Sequence, residues 1–199
     1  YFRYGKTLLP EGAWDHAYRL SYDLHLELAQ AEYLSANMEA AEELFDIVIE
    51  RAKTEEDRAS IYGLKVILYA GMGKYAEAVD VGIRALRNLG VKLPVHPTKL
   101  DYAKELLLYM WYMKSKKIED LVHMPEIRDP LKRKIAELLT RLCTVTMINY
   151  PDLYSLIILK TGSHGARYGN TEMSCVGYVG YSITAGSIFG DYKAGDRYG

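Results

Sequence analysis

One helical pattern, written three times, constrains this chain more than any other feature. In Leu28 to Val48, LAQAEYLSANMEAAEELFDIV, the residues Leu28, Ala29, Ala31, Tyr33, Ala36, Met38, Ala41, Phe45 and Val48 fall at helical spacings, interrupted at Ser35-Ala36-Asn37. Two antiparallel helices joined by a tight turn produce such a pattern. Lys65 to Leu86 repeats it, with Met72-Gly73-Lys74-Tyr75 at the turn and Ala78, Ala85 and Leu86 behind. A third, shortened copy is Gly190-Asp191-Tyr192-Lys193-Ala194-Gly195. With Leu121 and Leu153 as degenerate crossing positions, the series 41, 78, 121, 153, 195 has spacings of 37, 43, 32 and 42 residues. Five helical hairpins, about ten helices in all, are expected.

In chain order, the pattern predicts a first helix over about Ala13 to Ser35 and its partner over about Glu39 to Lys53. Thr54, followed by Glu55-Glu56-Asp57, caps the next helix, with acidic residues at its positive end. That helix reaches about Met72, and its partner stops at Asn88-Leu89-Gly90. Two prolines within Val91 to Pro97 require a connection there. Helices then follow over about Leu100 to Lys114, a short one at Lys116 to Leu121, one begun by Asp129-Pro130, and one beginning around Asn149 to Asp152. Thr171 and Glu172 cap the last. The expected division is a single domain over 1–199, with repeats at 18–53 and 55–90, two degenerate hairpins over 98–169 and a truncated repeat over 171–199. Neither end carries the polar cap that a helical array needs, which reads as an internal piece of a longer polypeptide.

Chemistry-bearing motifs are scarce. Gly71-Met72-Gly73-Lys74 lacks the glycine a phosphate loop needs five residues earlier, where Leu68 stands, and Tyr75 occupies the magnesium-ligand position. Gly162-Ser163-His164-Gly165 lacks the preceding strand of a nucleophile elbow and reads as glycines allowing close helix contacts. None of His16, His25, His96, His123 and His164 pairs at i, i+3 or i, i+4 with another His or Cys, so no metal or cofactor is implied. His25 reads as a partly exposed helix residue. Cys143 and Cys175 read as two reduced core thiols in a cytoplasmic protein. A net charge of −1 gives no long-range attraction to nucleic acid or anionic lipid. Met173 to Gly190 is free of charge for 18 residues, but its glycines and serines read as a tightly packed helix rather than a membrane span. Eighteen Tyr against three Phe suit helices buried on one side, with rings inside and hydroxyls reaching outward. Lys114, Lys116 and Lys117, with Arg128, Lys132, Arg133 and Lys134, read either as solvated charge or as a docking patch for an acidic partner.

The repeated unit, with small residues where its helices cross, resembles the tetratricopeptide repeat (TPR). That resemblance implies an all-α fold of TPR-like antiparallel hairpins stacked in a right-handed superhelix, binding ligands on the concave face formed by the first helix of each pair. Carried over by position, the groove would present Asp23, Leu26, Gln30, Tyr33 and Leu34, then Ser60, Gly63, Ile67, Ala70 and Gly71, then Gly177, Gly180, Thr184, Ser187 and Ile188. Family members that clamp the chaperone EEVD peptide use Lys, Arg and Asn there, and Leu26, Gln30, Gly63 and Ile67 supply no such clamp. Small residues instead suit a protein or peptide helix, from a partner or from the same polypeptide; the alternative is that these glycines only let neighbouring repeats pack closely.

Tyr18-Arg19-Leu20, Glu32-Tyr33-Leu34, Glu42-Glu43-Leu44-Phe45, Leu89-Gly90-Val91-Lys92-Leu93-Pro94, Lys117-Ile118-Glu119-Asp120-Leu121 and Tyr168-Gly169-Asn170 carry a more particular likeness. They are similar to the helical region following the AAA/STAND-type ATPase module of large bacterial signalling proteins, which often carry a serine/threonine kinase in front and a histidine kinase behind. The resemblance implies a non-catalytic interaction or autoinhibitory scaffold. The other reading is a stand-alone TPR adaptor, or the peptide-binding sensor domain of a transcriptional regulator.

Overall fold

The computed structural model describes residues 1–180 apart from 115, 117 and 173. Among them there is no strand. Helices α1 (Phe2–Thr7), α2 (Ala13–His16), α3 (Tyr18–Leu34), α4 (Met38–Arg51), α5 (Glu55–Gly71), α6 (Tyr75–Asn88) and α7 (Lys99–Met113) precede a 3-10 helix at Ile118–His123. Helices α8 (Pro130–Asn149) and α9 (Pro151–Tyr168) follow, and a further helical stretch covers 174–180. The shortened repeat at 190–195 lies outside the described residues.

The turns explain why the first two hairpins share one pattern. After α3 the Asn37 amide donates to Glu32 O (2.9 Å), and after α5 the Lys74 amide donates to Tyr69 O (2.9 Å). Val91 repeats the closure on Leu86 O (2.8 Å) after α6. This six-to-one bond needs a left-handed residue just before the donor. Gly73 (φ 73°) and Gly90 (φ 80°) supply it after α5 and α6, whereas Ala36 (φ 64°) must adopt it after α3. Starts are equally local. The Asp57 amide donates to Thr54 Oγ1 (3.1 Å), and Leu131 and Lys132 donate to Asp129 Oδ1 ahead of Pro130. Thr98 and Asp101 form a reciprocal capping box at α7.

The expected first helix is broken. Ala17 (φ −135°, ψ 49°) leaves helical geometry, and the short α2 folds its Trp14 ring against Tyr18 and His25, with centroids 6.2 and 4.9 Å away. The break lets the partly buried indole pack on these two rings.

Among the described residues, three apolar clusters form the core. Tyr22, Leu28, Tyr33, Ala41, Phe45 and Val48 join α3 and α4 to Ile61 and Leu68 of α5. Val66 opens the second cluster, in which α6, α8 and α9 pack through Leu86, Leu138, Leu142, Leu153 and Leu156. The crossing positions Ala41 and Ala78 are fully buried, as are Leu121 and Leu153. A third cluster sets Tyr109 of α7 against Leu159 and Ala166 of α9, with Leu121 and Tyr178. Thus α7 packs on α9, which follows it by some 50 residues, and Tyr102 Oη donates to Asp152 O (2.7 Å) across that contact.

Tyrosine hydroxyls fasten elements at many of these contacts, each net hydrogen bond contributing about 1 kcal/mol. Tyr18 donates to Asp57 Oδ2 (2.6 Å) and Tyr22 to Asp57 O (2.9 Å), tying α3 to the start of α5. Tyr178 donates to Asn170 Oδ1 (2.8 Å). At Gly169 (φ 115°) a side chain would meet Pro125 O at 2.3 Å, so only glycine lets residues 125–127 pair with Asn170.

Candidate binding surfaces

The groove positions named above divide into three groups. On α3, Asp23, Leu26 and Gln30 are half-buried on one stripe, with Asp23 paired to Arg19 at 2.8 Å. On α5, Ile67 is 48% exposed, Gly71 is exposed, Ala70 is half-buried, and Ser60 donates to Glu56 O (2.9 Å). Leu34 is exposed at the end of α3. These positions reach the surface.

Tyr33 does not: it is buried in the first cluster, its ring 5.8 Å from that of Tyr69. Three glycines are also covered. A Cβ on Gly63 would lie 2.2 Å from Arg141 Nη1 of α8. One on Gly177 would lie 2.8 Å from Gly162 N of α9, and one on Gly180 would lie 2.4 Å from Ile158 Cγ2. Gly177 and Gly180 permit close approach of α9, whereas the neighbour at Gly63 is the tip of the Arg141 side chain. Thr184, Ser187 and Ile188 lie outside the described residues.

Several other sequence readings acquire a location. Gly162 and Gly165 lie inside α9 against Gly177 O and Tyr178, as helix-contact glycines. His25 is buried, contrary to expectation, because its ring packs under Trp14 while Nδ1–H donates to Ser21 O (2.7 Å). Burial lowers its pKa. Cys143 is a core thiol, pushed up to about 12 by burial, whereas Cys175 is exposed and is not a core thiol. It falls on the open side of the 174–180 helix, whose inward positions are Ser174, Gly177, Tyr178 and Gly180. No cluster of three or more His, Cys, Asp or Glu residues suited to a metal occurs among the described residues. No helix among them is long and apolar enough to cross a membrane.

The two basic runs disperse. Arg133 pairs with Glu126 (3.0 Å) and Glu172 (3.7 Å), Lys134 pairs with Glu137 (2.9 Å), and Lys116 donates to Ala166 O. Among the described residues of the two runs, Lys132 lines a cleft of about 480 Å³ between the α6–α7 connection and helices α7, α8 and α9. Lys92, Lys104, Lys160 and Arg167 join it there, against Asp101 and Glu105. Buried Glu105 accepts from Lys160 Nζ (2.6 Å) and Ser163 Oγ (2.6 Å). The Arg167 guanidinium lies over the rings of Tyr168 (4.7 Å) and Tyr112 (5.5 Å), and Lys132 Nζ lies over Tyr168 (5.2 Å). His164 Nε2–H donates to Lys132 O (2.9 Å). Its pKa falls to about 4, chiefly through burial, so it is neutral at pH 7. Sequence reading did not find this cleft. A local signal existed in α9, where Lys160, His164, Arg167 and Tyr168 recur at i, i+4, i+7 and i+8.

A second surface lies on α7. Leu100 (80% exposed), Leu107 (65%), Met110 (55%) and Trp111 (68%) share one side of the helix. Glu105 and Tyr109 are buried on the other. That side is polar on most single helices of a globular surface, so four large apolar residues sharing it, with Ala103 and Lys104 between, are unusual.

No protein-family model and no solved structure matches this chain. Over 83 residues, 42% of its length, the chain is 22% identical to Hybrid signal transduction histidine kinase G of Dictyostelium discoideum. The chain spans 2% of the length of that curated relative.

Proposed function

We propose that this chain is a non-catalytic protein-interaction segment that regulates a multidomain signal-transduction protein. Its hairpins stack in the manner of a TPR-like right-handed superhelix, and its occupant is an amphipathic helix from a partner or from the same polypeptide. The observation that carries this reading is the apolar side of α7. Burying four such residues would contribute about 25 cal/mol for each Å² of apolar surface removed from water. The adjacent hairpins α3–α4, α5–α6 and α8–α9 support the repeat reading, and the likeness to a signal transduction histidine kinase supports the signalling context. The groove positions that reach the surface, half-buried Asp23, Leu26, Gln30, Ser60 and Ala70 with exposed Ile67, offer the same occupant a second face. A cytoplasmic setting accompanies this reading.

The test is capture of the neighbouring domains of the full-length gene product, supplied as separate purified proteins. The Leu107→Asp/Trp111→Asp variant, changed only at exposed positions, should keep its helical circular dichroism and lose at least tenfold in affinity. Equal capture by variant and parent removes α7 as the docking surface.

A further inference from the structure

We propose that the cleft between α7, α8 and α9 binds a phosphate-bearing small molecule. The argument begins with charge. Five cations reach the cleft from four separate segments, facing two carboxylates, in a chain whose net charge is −1. Both carboxylates are engaged: Asp101 accepts from the Thr98 amide (2.8 Å), and Glu105 holds Lys160 and Ser163. Lys92, Lys104, Lys132 and Arg167 make no ion pair with any described residue. Cations spread along one helix would be an ordinary solvated face. Cations converging on a concavity from a linker and three helices repel one another where the walls focus their field, and an entering anion relieves that repulsion.

Geometry adds to charge. The cleft volume matches that of small-molecule sites, roughly 300–1,000 Å³. Arg167 is stacked on two tyrosine rings, which restrains a planar fork of N–H donors with no carboxylate to accept from it. Several cations around one concavity match a group with two or more anionic oxygens better than a single carboxylate, and phosphate is that group. The apolar floor, with Ile135, Leu139 and Leu156, leaves room for an organic remainder.

The full chain is titrated calorimetrically with sodium pyrophosphate at low ionic strength, up to about 1 mM, the range of a weak site. Saturable binding is expected. Lys132→Gln/Arg167→Gln should weaken it about tenfold or more, while Arg51→Gln/Lys53→Gln, which removes equal charge from exposed positions on and just after α4, should not. If the cleft variant loses helicity, Lys104→Gln, whose exposed side chain makes no ion pair with a described residue, should shift affinity in the same direction. AMP binding more tightly than pyrophosphate assigns the site to a nucleoside phosphate; weaker AMP binding assigns it to a phosphate without a base. Absent saturation, an equal loss in the control pair, or binding of a polyglutamate peptide in place of pyrophosphate overturns the proposal. Leu107→Ser/Met110→Ser, which adds no charge to α7, should bind pyrophosphate normally, so this site and the docking face of α7 stand or fall separately.

Discussion

Ala36 carries a conformation that its counterparts give to glycine. It closes the α3–α4 turn at φ 64°, the region Gly73 and Gly90 occupy in the equivalent turns. A left-handed residue with a Cβ costs about 1–2 kcal/mol, and glycine escapes that cost while losing more freedom on folding. Ala36→Gly should therefore stabilise the chain by about 0.5–1 kcal/mol, raising the melting temperature by about 1–4 °C. A lower melting temperature would mean the Ala36 methyl group makes a contact worth more than its strain. Glu32 gives a second prediction at this scale. The hydrogen bond from Arg3, with Asn37 donating from the other side, holds its carboxyl at about 2 instead of 4.5. Because the folded pKa is depressed, the stabilising contribution is complete above about 4.5 and is lost as pH falls toward 2. Arg3 belongs to α1, so acid should free that helix before the core opens. Trypsin cleavage at Arg3 and Lys6 in Glu32→Gln at neutral pH should exceed that in the parent, and the Glu32 carboxyl resonance should titrate near pH 2.

Elements differ in how much of them the sequence could declare. Caps and turns were legible because each depends on residues within six positions: Thr54, Asp129-Pro130 and Gly73 act on their own neighbourhood. The partner of α7 was not. Its sequence is apolar nearly all round from Leu106 to Met113, so nothing local singles out Tyr109 as the buried residue or says that the covering helix lies some 50 residues on in α9. The cleft was hidden for the same reason, since its charges come from four segments whose meeting is a tertiary fact. The break at Ala17 was lost because alanine favours helix, and only the packing of Trp14 argues otherwise. Gly82 shows how one such tertiary contact is enforced. A Cβ there would lie 2.5 Å from Leu142 Cδ2 of α8, and Leu142 is itself fully buried. Overpacking of this kind costs about 1–3 kcal/mol, against about 1 kcal/mol gained in helix propensity. Gly82→Ala should lower the free energy of unfolding by a net amount of up to about 2 kcal/mol, with the α6–α8 contact loosened first. Unchanged stability would show that Leu142 has a second rotamer available.

At the scale of the whole molecule the clusters form a chain with shared links, and that arrangement predicts a gradient of local stability. Helix α5 belongs to two cores, through Ile61 and Leu68 on one side and Val66 on the other. Helix α9 likewise serves two, through Leu153 and Leu156 in one and Leu159 and Ala166 in the other. Burial follows the same order: ten buried residues in α9 and nine in α8, two in α7, none in α1. In an array whose stability is a sum of neighbouring interfaces, the element with most interfaces opens last. Native-state hydrogen exchange should then be slowest in α8 and α9, intermediate in α3 to α6, and faster in α7, with α1 and the 3-10 helix exchanging first. The ordering has a functional consequence that can be read in the same experiment. An occupant on the open side of α7 adds an interface to the least buried of the long helices, so its protection should rise most in α7 while α8 and α9 change little. Protection that rises evenly along the chain would place the occupant elsewhere, because only an added contact at α7 can slow that helix without slowing the ones already held on two sides.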